Sequence, residues 1–405
     1  MKRIISIALC IALLASLAAV FVGCNNVPRE EQLKIYLPGE YMDYEIFSEF
    51  EAYYLEKTGK KVKVFPEEFD AVENIRRSVE GAQADYDLLC PSDYMVEYLI
   101  KKDLLIPVDK TIVDVEAEGL FRPEYVATTK EFDPELKYAV PYMYGTLGLV
   151  YDYSKTGKHI DSWESYFGDE YKGSRSLKKS VRDAYAVASI YNARSETAGL
   201  VGAELKAKIQ SIFEDASDAN IEAASSLLDA VIQGGAVWDV DQIKFDMAAN
   251  RGNVKVALMW SCDAGYVMND YEDDDGNELE GNRNLWYVVP KEGGNVYIDA
   301  FVISKYAKNI SAAQYFLAFL CQKDIAIKNS EYAGAVSPVK AAYDQLYEDY
   351  TTDEEMFEGT QAGWKEMFIE TMFPSAETLN RCGVMKDFGN RESAVANMWA
   401  KLQAK

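Results

Sequence analysis

Two rhythms of apolar positions alternate along the chain. A short unbroken apolar run at 33–37 reads as a buried strand, and a Gly-containing turn follows it. The stretch 44–57 then sets Ile46, Phe47, Phe50 and Tyr54 on one helical face, and Gly59 stands just past its end, where a left-handed cap residue belongs. Strands are predicted again at 61–65 and 86–90, with a helix at 72–79 between them. Pro91-Ser92-Asp93 opens a further helix over 94–100, with Ser92 or Asp93 suited to cap it. Beyond these, 147–151, 254–260 and 296–304 read as strands and 311–321 and 392–402 as helices. The stretch 269–283, rich in Asp, Glu, Gly and Asn, reads as a long surface loop.

Strands alternating with helices at this spacing imply an α/β fold on a largely parallel sheet. Ligands of such sheets sit at the carboxyl ends of the strands. That rule singles out the turns at 38–41 and 91–94 as candidate ligand loops. No internal repeat, dinucleotide-binding GxGxxG or Walker loop occurs. The Asp-Asp-Asp-Gly run within 269–283 lacks the alternating oxygen spacing and terminal glutamate of a calcium loop.

The first residues carry a different signal. Lys2 and Arg3 precede an almost unbroken apolar run over 4–22, which ends at Gly23-Cys24 and polar Asn25-Asn26. This is the pattern of a secretory signal peptide over 1–23. The cysteine directly after the small residue resembles a bacterial lipoprotein signal, in which Cys24 is lipidated. Residues 24–32 then form a short tether, and the folded body lies outside the cytoplasmic membrane.

Composition narrows the chemistry. The 405 residues include 66 acidic against 42 basic side chains, a net charge of −24 that disfavours nucleic acid and anionic lipid and favours cationic ligands. An apolar content of 49% supplies a core, and the length suits two domains. His159 is the only histidine, which removes ordinary Ser-His-Asp and Cys-His machinery and any multi-histidine metal site; its segment reads as surface. Beyond Cys10 and Cys24, the cysteines Cys90, Cys262, Cys321 and Cys382 are scattered with no zinc spacing. Their pairing stays open, and Cys90 and Cys321 lie in apolar strings that read as core. No metal or cofactor is expected.

Five strings, in order, carry a resemblance. They are 35–41, Tyr-Asp-Leu-Leu-Cys-Pro-Ser-Asp-Tyr at 86–94, Val-Pro-Tyr-Met-Tyr-Gly at 140–145, Met-Trp-Ser-Cys-Asp at 259–263, and Val-Pro-Lys-Glu-Gly-Gly at 289–294 with Tyr-Ile-Asp at 297–299. Together they resemble the spermidine/putrescine-binding proteins of bacterial polyamine ABC transporters from Leu33 to the C-terminus. The resemblance implies a two-lobed periplasmic-binding-protein fold with the ligand between the lobes. Two crossing strands are expected near 142–145 and 260–264, with 33–141 plus 263–304 as one lobe and 142–262 plus 305–405 as the other. It implies a binding protein and not an enzyme: a monomer that closes on a polyamine by hinge motion and docks on an ABC permease and its ATPase.

The resemblance also implies the ligand contacts. Glu40 and Tyr41 match the acid and tyrosine of the first loop, where Pro38 and Gly39 replace an aromatic and a hydroxyl. Ser92 and Tyr94 match the Pro-Ser-x-Tyr turn, with Asp93 between them. Asp183 meets the acid at the start of a second-lobe helix, preceded by Arg182, while Ser180 stands where spermidine-preferring members have another acid. Trp260 with Asp263, and Tyr297 with Asp299, complete the set, and a last polar contact falls near Lys328 or Asn329. The chemistry is coherent. Ammonium groups need carboxylate acceptors, and methylene chains need flat aromatic walls whose faces also attract cations. Pro38 and Ser180 remove a wall and a charge, which points to a smaller ligand such as putrescine. Rival readings are a binding protein for another solute or organic cation, a ligand-sensing lipoprotein, and a glycoside hydrolase working through paired carboxylates.

Overall fold

A computed structural model describes residues 27–239, 242–272 and 278–405. The signal peptide expected over 1–23, Cys24 and the Asp-Asp-Asp-Gly run at 273–276 lie outside them. Strand β1 (Gln32–Pro38) and helix α1 (Ile46–Thr58) open the fold as their patterns predict. Ile46, Phe47, Phe50 and Tyr54 are all buried, and Gly59 caps the helix at φ 70°. Strand β2 (Lys63–Phe69) extends beyond its predicted end, carrying Pro66 opposite Ile35 in the edge ladder. The helix expected at 72–79 is one α-turn, Glu73–Arg76, that widens into a π-turn over Arg77–Gly81. Strand β3 pairs only at Leu88–Leu89, and α2 follows over Asp93–Lys101.

The remaining strands of the main sheet are β4 (Leu105–Ile106), β5 (Val140–Asp152), β6 (Arg175–Lys178), β7 (Val237–Asp239), β8 (Val256–Trp260), β9 (Leu285–Val288), β10 (Gly294–Ser304) and β11 (Cys382–Gly383). The main path of the sheet runs β2-β1-β3-β10-β5-β8-β6-β7. Its two wings, β2-β1-β3 and β8-β6-β7, are parallel, as the βα alternation predicts. Two long antiparallel strands, β5 and β10, join them, and every residue of both is buried.

The lobes divide differently from the expectation. The second crossing is β10, which pairs with β5 over 295–301 and with β3 and β4 over 302–304. Trp260 ends a strand of the second wing and starts helix α4 (Ser261–Met268), so 260–264 does not cross. Helix α5 (Ile310–Leu320), expected in the second lobe, packs its Phe316 and Leu317 with Phe50 and Ile35 of the first. Conversely Asn282, expected in the first lobe, donates to the Met247 carbonyl of the second at 2.8 Å, and Leu285 pairs with Asp152. An apolar run buried on both faces does not show in sequence where its partners change.

Cys90 and Cys382 are buried and Cys262 and Cys321 partly so, and all four are free thiols. His159 is exposed, its ring against Trp286 at 4.2 Å and its Nδ1 3.0 Å from the Tyr151 hydroxyl. Among the described residues no helix is long and apolar enough to cross a membrane.

Candidate functional site

Four turns leave the carboxyl ends of β1, β3, β6 and β8 and converge on the crossing strands. At Asp299 the register between β10 and β5 slips: Asp299 faces Met143, Ala300 faces Pro141, and Tyr142 is left between them. Such a bulge re-aims side chains. The Asp299 carboxylate accepts the Tyr41 hydroxyl at 2.6 Å on Oδ2 and the Ser92 hydroxyl at 2.5 Å on Oδ1. Tyr142 holds this loop from below, donating to the Tyr41 carbonyl at 2.8 Å. Burial raises the Asp299 carboxyl above its ordinary range, and the two hydroxyls partly oppose that.

Ser92 is the N-cap residue of α2, but its side chain makes no cap hydrogen bond, because its hydroxyl is spent on Asp299. Asp93 is buried beside it. Its Oδ1 accepts the Tyr94 N–H and its Oδ2 has no protein partner. Burial drives this carboxyl well above the usual range, the Tyr94 N–H opposes, and the Asp299 charge adds to the rise. Tyr94 donates to Glu73 at 3.0 Å. Its ring receives the Arg182 guanidinium at 4.1 Å.

The second lobe supplies the other half. Helix α3 (Val181–Asn192) begins after β6, and the Ser180 hydroxyl caps it by accepting the Asp183 N–H. Thus Ser180, where an acid is absent, has a structural task. Asp183 is 5% exposed with an unpartnered Oδ2, and burial pushes its carboxyl up to about 6 against the opposing Lys178 charge. Asp263, on α4, lies 3.1 Å from the Lys244 ammonium and 3.8 Å from that of Lys178. Burial works to raise its pKa, but the two lysines outweigh that and hold it below the ordinary value. The Trp260 and Tyr297 rings stand 6.3 Å apart, and the Tyr297 hydroxyl donates to the Cys262 sulfur at 3.2 Å.

The structure therefore brings Tyr41, Ser92, Asp93 and Asp299 into one cluster and Asp183, Trp260 and Asp263 into a second, with Tyr94 and Tyr297 beside them. Glu40 is exposed, at φ 52°, and its charge bears on Tyr332. Asn329 is fully buried, accepting the Asp43 N–H at 3.1 Å and leaving its Nδ2 without a protein partner, whereas Lys328 points away to Glu49. Sequence reasoning missed Lys178 and Lys244. Lys178 ends strand β6, so the carboxyl-end rule applied to the other turns would have found it. Lys244 lies on the short helix Gln242–Ala248, with no local signal. Among the described residues no cluster of three or more metal-ligating side chains occurs.

Comparison with known proteins identifies the family. Residues 45–358 match the family model of the bacterial extracellular solute-binding proteins. The spermidine/putrescine-binding periplasmic protein of Escherichia coli is 25% identical over 323 residues, covering 79% of this chain and 78% of its own. The putrescine-binding periplasmic protein PotF of the same organism is 26% identical, covering 81% of this chain and 83% of its own. The crystal structure of the spermidine/putrescine ABC transporter substrate-binding protein PotD from Streptococcus pneumoniae superposes with a TM-score of 0.65 at 25% identity, over 92% of this chain and 99% of that one. A match over this much of the chain, with acids and aromatics gathered where the two lobes meet, makes it a member of the bacterial extracellular solute-binding protein family.

Proposed function

We propose that this protein is the extracytoplasmic capture component of an ABC importer, taking a polyamine between its lobes and handing it to a membrane permease worked by a partner ATPase. The observation that carries the reading is the Asp299 cradle. A carboxylate on the crossing strand is oriented by two hydroxyls from separate first-lobe loops, with Asp93 beside it. Hydroxyls that donate to a carboxylate leave its remaining lone pairs for an ammonium, whose bond to it is charge-assisted. Trp260 and Tyr297 supply walls for methylenes, and Asp183 and Asp263 supply acids at the far end. Of the two Escherichia coli relatives named above, one is described as binding spermidine and putrescine and the other putrescine, and their likeness extends over most of this chain.

The protein works by binding alone, as a monomer, held to the outer side of the membrane by lipid on Cys24. Pro38 and Ser180, in place of an aromatic and an acid, favour putrescine over spermidine. Titration calorimetry of the purified protein with putrescine, spermidine and cadaverine tests the reading. One-to-one binding of putrescine is expected. The absence of heat with all three amines overturns it, and spermidine binding far more tightly than putrescine overturns the preference. Mass spectrometry of the membrane-extracted protein should find diacylglycerol on Cys24; an unmodified Cys24 overturns the anchor.

A further inference from the structure

The far end of the cleft already contains cations. The Lys178 ammonium lies 3.5 Å from the centroid of the Trp260 ring and 3.8 Å from Asp263 Oδ2, and Lys244 takes the other Asp263 oxygen at 3.1 Å. The side chains of Lys178, Lys244 and Asp263 are only 10%, 15% and 19% exposed, so these interactions are little screened. An aromatic face next to a carboxylate is what an alkylammonium ligand requires. Lys178 is itself an alkylammonium, a four-carbon stem ending in a compact charge. It occupies the wall and the acceptor that the resemblance assigns to the ligand.

Charge counting leads to the same place. At this end Lys178 and Lys244 both bond Asp263, and the Lys178 charge also acts on Asp183. At the Asp299 end, among the described residues, no lysine or arginine is bonded to the carboxylate, which is held by hydroxyls alone. The two halves are unequal: ammonium groups are bonded to Asp263, whereas hydroxyls alone are seen on Asp299. A second or third ammonium reaching the Trp260 face must first drive Lys178 off it. Lys178 is the last residue of β6 on a flexible stem, so its head can withdraw while its backbone stays in the sheet.

We propose that Lys178 is a specificity-determining residue, a tethered cation that holds the second-lobe ammonium position and so biases the cleft against longer, more highly charged amines. The proposal rests on the polyamine reading above. Each ligand that reaches Trp260 has to break the Lys178 contacts, and a spermidine, with one more charge to place, meets the larger repulsion. Where Lys178 is absent, Asp183 and the Trp260 face are left for the ligand.

The test is calorimetry of the full protein, wild type and Lys178→Met, with putrescine and spermidine, and with Lys178→Arg as the charge-retaining control. Lys178→Met should strengthen spermidine binding by about tenfold or more and putrescine binding by less, so that the ratio of the two affinities moves toward spermidine. Lys178→Arg should keep the wild-type ratio. Should Lys178→Met fold poorly, Lys178→Gln keeps a polar head without charge and should move the ratio the same way. An unchanged ratio in the neutral variants, or weaker binding of both amines, overturns the proposal while leaving the polyamine reading intact. Absence of polyamine binding in the wild type and every variant removes that reading, and the proposal with it.

Discussion

Tyr41 donates its hydroxyl to Oδ2 of Asp299 across 2.6 Å, tying the loop after the first strand to a strand that crosses between the lobes. The bond spans 258 positions of sequence, and the Ser92 hydroxyl on Oδ1 completes a clasp in which both carboxylate oxygens are oriented from the first lobe. Orientation of this kind matters because hydrogen bonds to a charged group contribute about 1.5–3 kcal/mol. Asp299→Asn should therefore weaken amine binding by roughly tenfold to a hundredfold. Tyr41→Phe should weaken it less, since Ser92 still aims the carboxylate. Calorimetry at fixed pH, with melting curves to confirm folding, checks the order. Equal losses from the two variants would mean that Tyr41 acts on more than Asp299.

Asp183 gives the site a pH dependence with a definite sign. Burial pushes its carboxyl up to about 6, so the folded protein holds this proton more tightly than the unfolded chain does. Its contribution to stability is fully present below the ordinary carboxylate range and is lost as pH rises through about 6. At neutral pH the ionised group thus costs the fold on the order of 3 kcal/mol. Asp183→Asn should raise the melting temperature by several degrees at neutral pH, and at pH near 4 should leave it unchanged. An ammonium arriving beside Asp183 favours its ionised form, so amine binding at pH near 6 should release protons. Calorimetry in buffers of different ionisation enthalpy reads that release directly, and a null result there would place the ligand away from Asp183.

Much of this was legible in the chain. Ile46, Phe47, Phe50 and Tyr54 marked the first helix because helical spacing on a single face is a strong local signal. Ser92, Asp183 and Trp260 emerged from local strings that sit where strands end, and Asp299 from the Tyr-Ile-Asp string inside β10. The less legible parts depend on tertiary partners. Both faces of β10 are buried, so its apolar run shows no seam at 301–302 where its pairing passes from one lobe to the other. The head of Lys244 reaches Asp263 from a helix 19 positions away, and nothing in a Gln-Ile-Lys-Phe string announces that. Glu40 matched a pattern, and its φ of 52° in an exposed turn is a backbone feature that the pattern did not announce.

Gly145 is a crossing-strand position where close approach excludes any side chain. A methyl on its Cα would stand 2.6 Å from Cζ of Tyr297 and 2.8 Å from Oγ of Ser261. Neither neighbour has free space, since Tyr297 is 8% exposed and bonded to Cys262, and Ser261 Oγ accepts the Thr146 N–H. Gly145→Ala should cost about 1–3 kcal/mol of stability, in the range of overpacked cores. It should also displace the Tyr297 wall and weaken amine binding. Urea denaturation and calorimetry on the same preparation separate the two effects. Full affinity in a destabilised variant would show that Tyr297 serves packing alone.

Arg182 joins the lobes through a face rather than an ion pair. Its guanidinium lies 4.1 Å from the ring centroids of both Tyr94, on first-lobe helix α2, and Phe388 of the second lobe. Its Nη1 donates to the Lys386 carbonyl at 2.7 Å, and its Nη2 meets Glu392 at 2.5 Å. The ion pair with Glu392 stays within the second lobe, so the stack on Tyr94 is the Arg182 contact that spans the cleft, beside the Asp387 N–H donated to Glu97 at 2.9 Å and the Lys101–Asp387 pair at 3.3 Å. Stacking of this kind is worth about 0.5–2 kcal/mol, which corresponds to roughly a twofold to thirtyfold change in how long a closed cleft retains its ligand. Arg182→Met should accelerate amine dissociation by that factor in stopped-flow displacement and leave association nearly unchanged. Because it also strands a partly buried glutamate, the Arg182→Met, Glu392→Gln double variant should recover stability while still releasing ligand fast. Normal retention in both variants would show that the stack on Tyr94 does not hold the lobes closed.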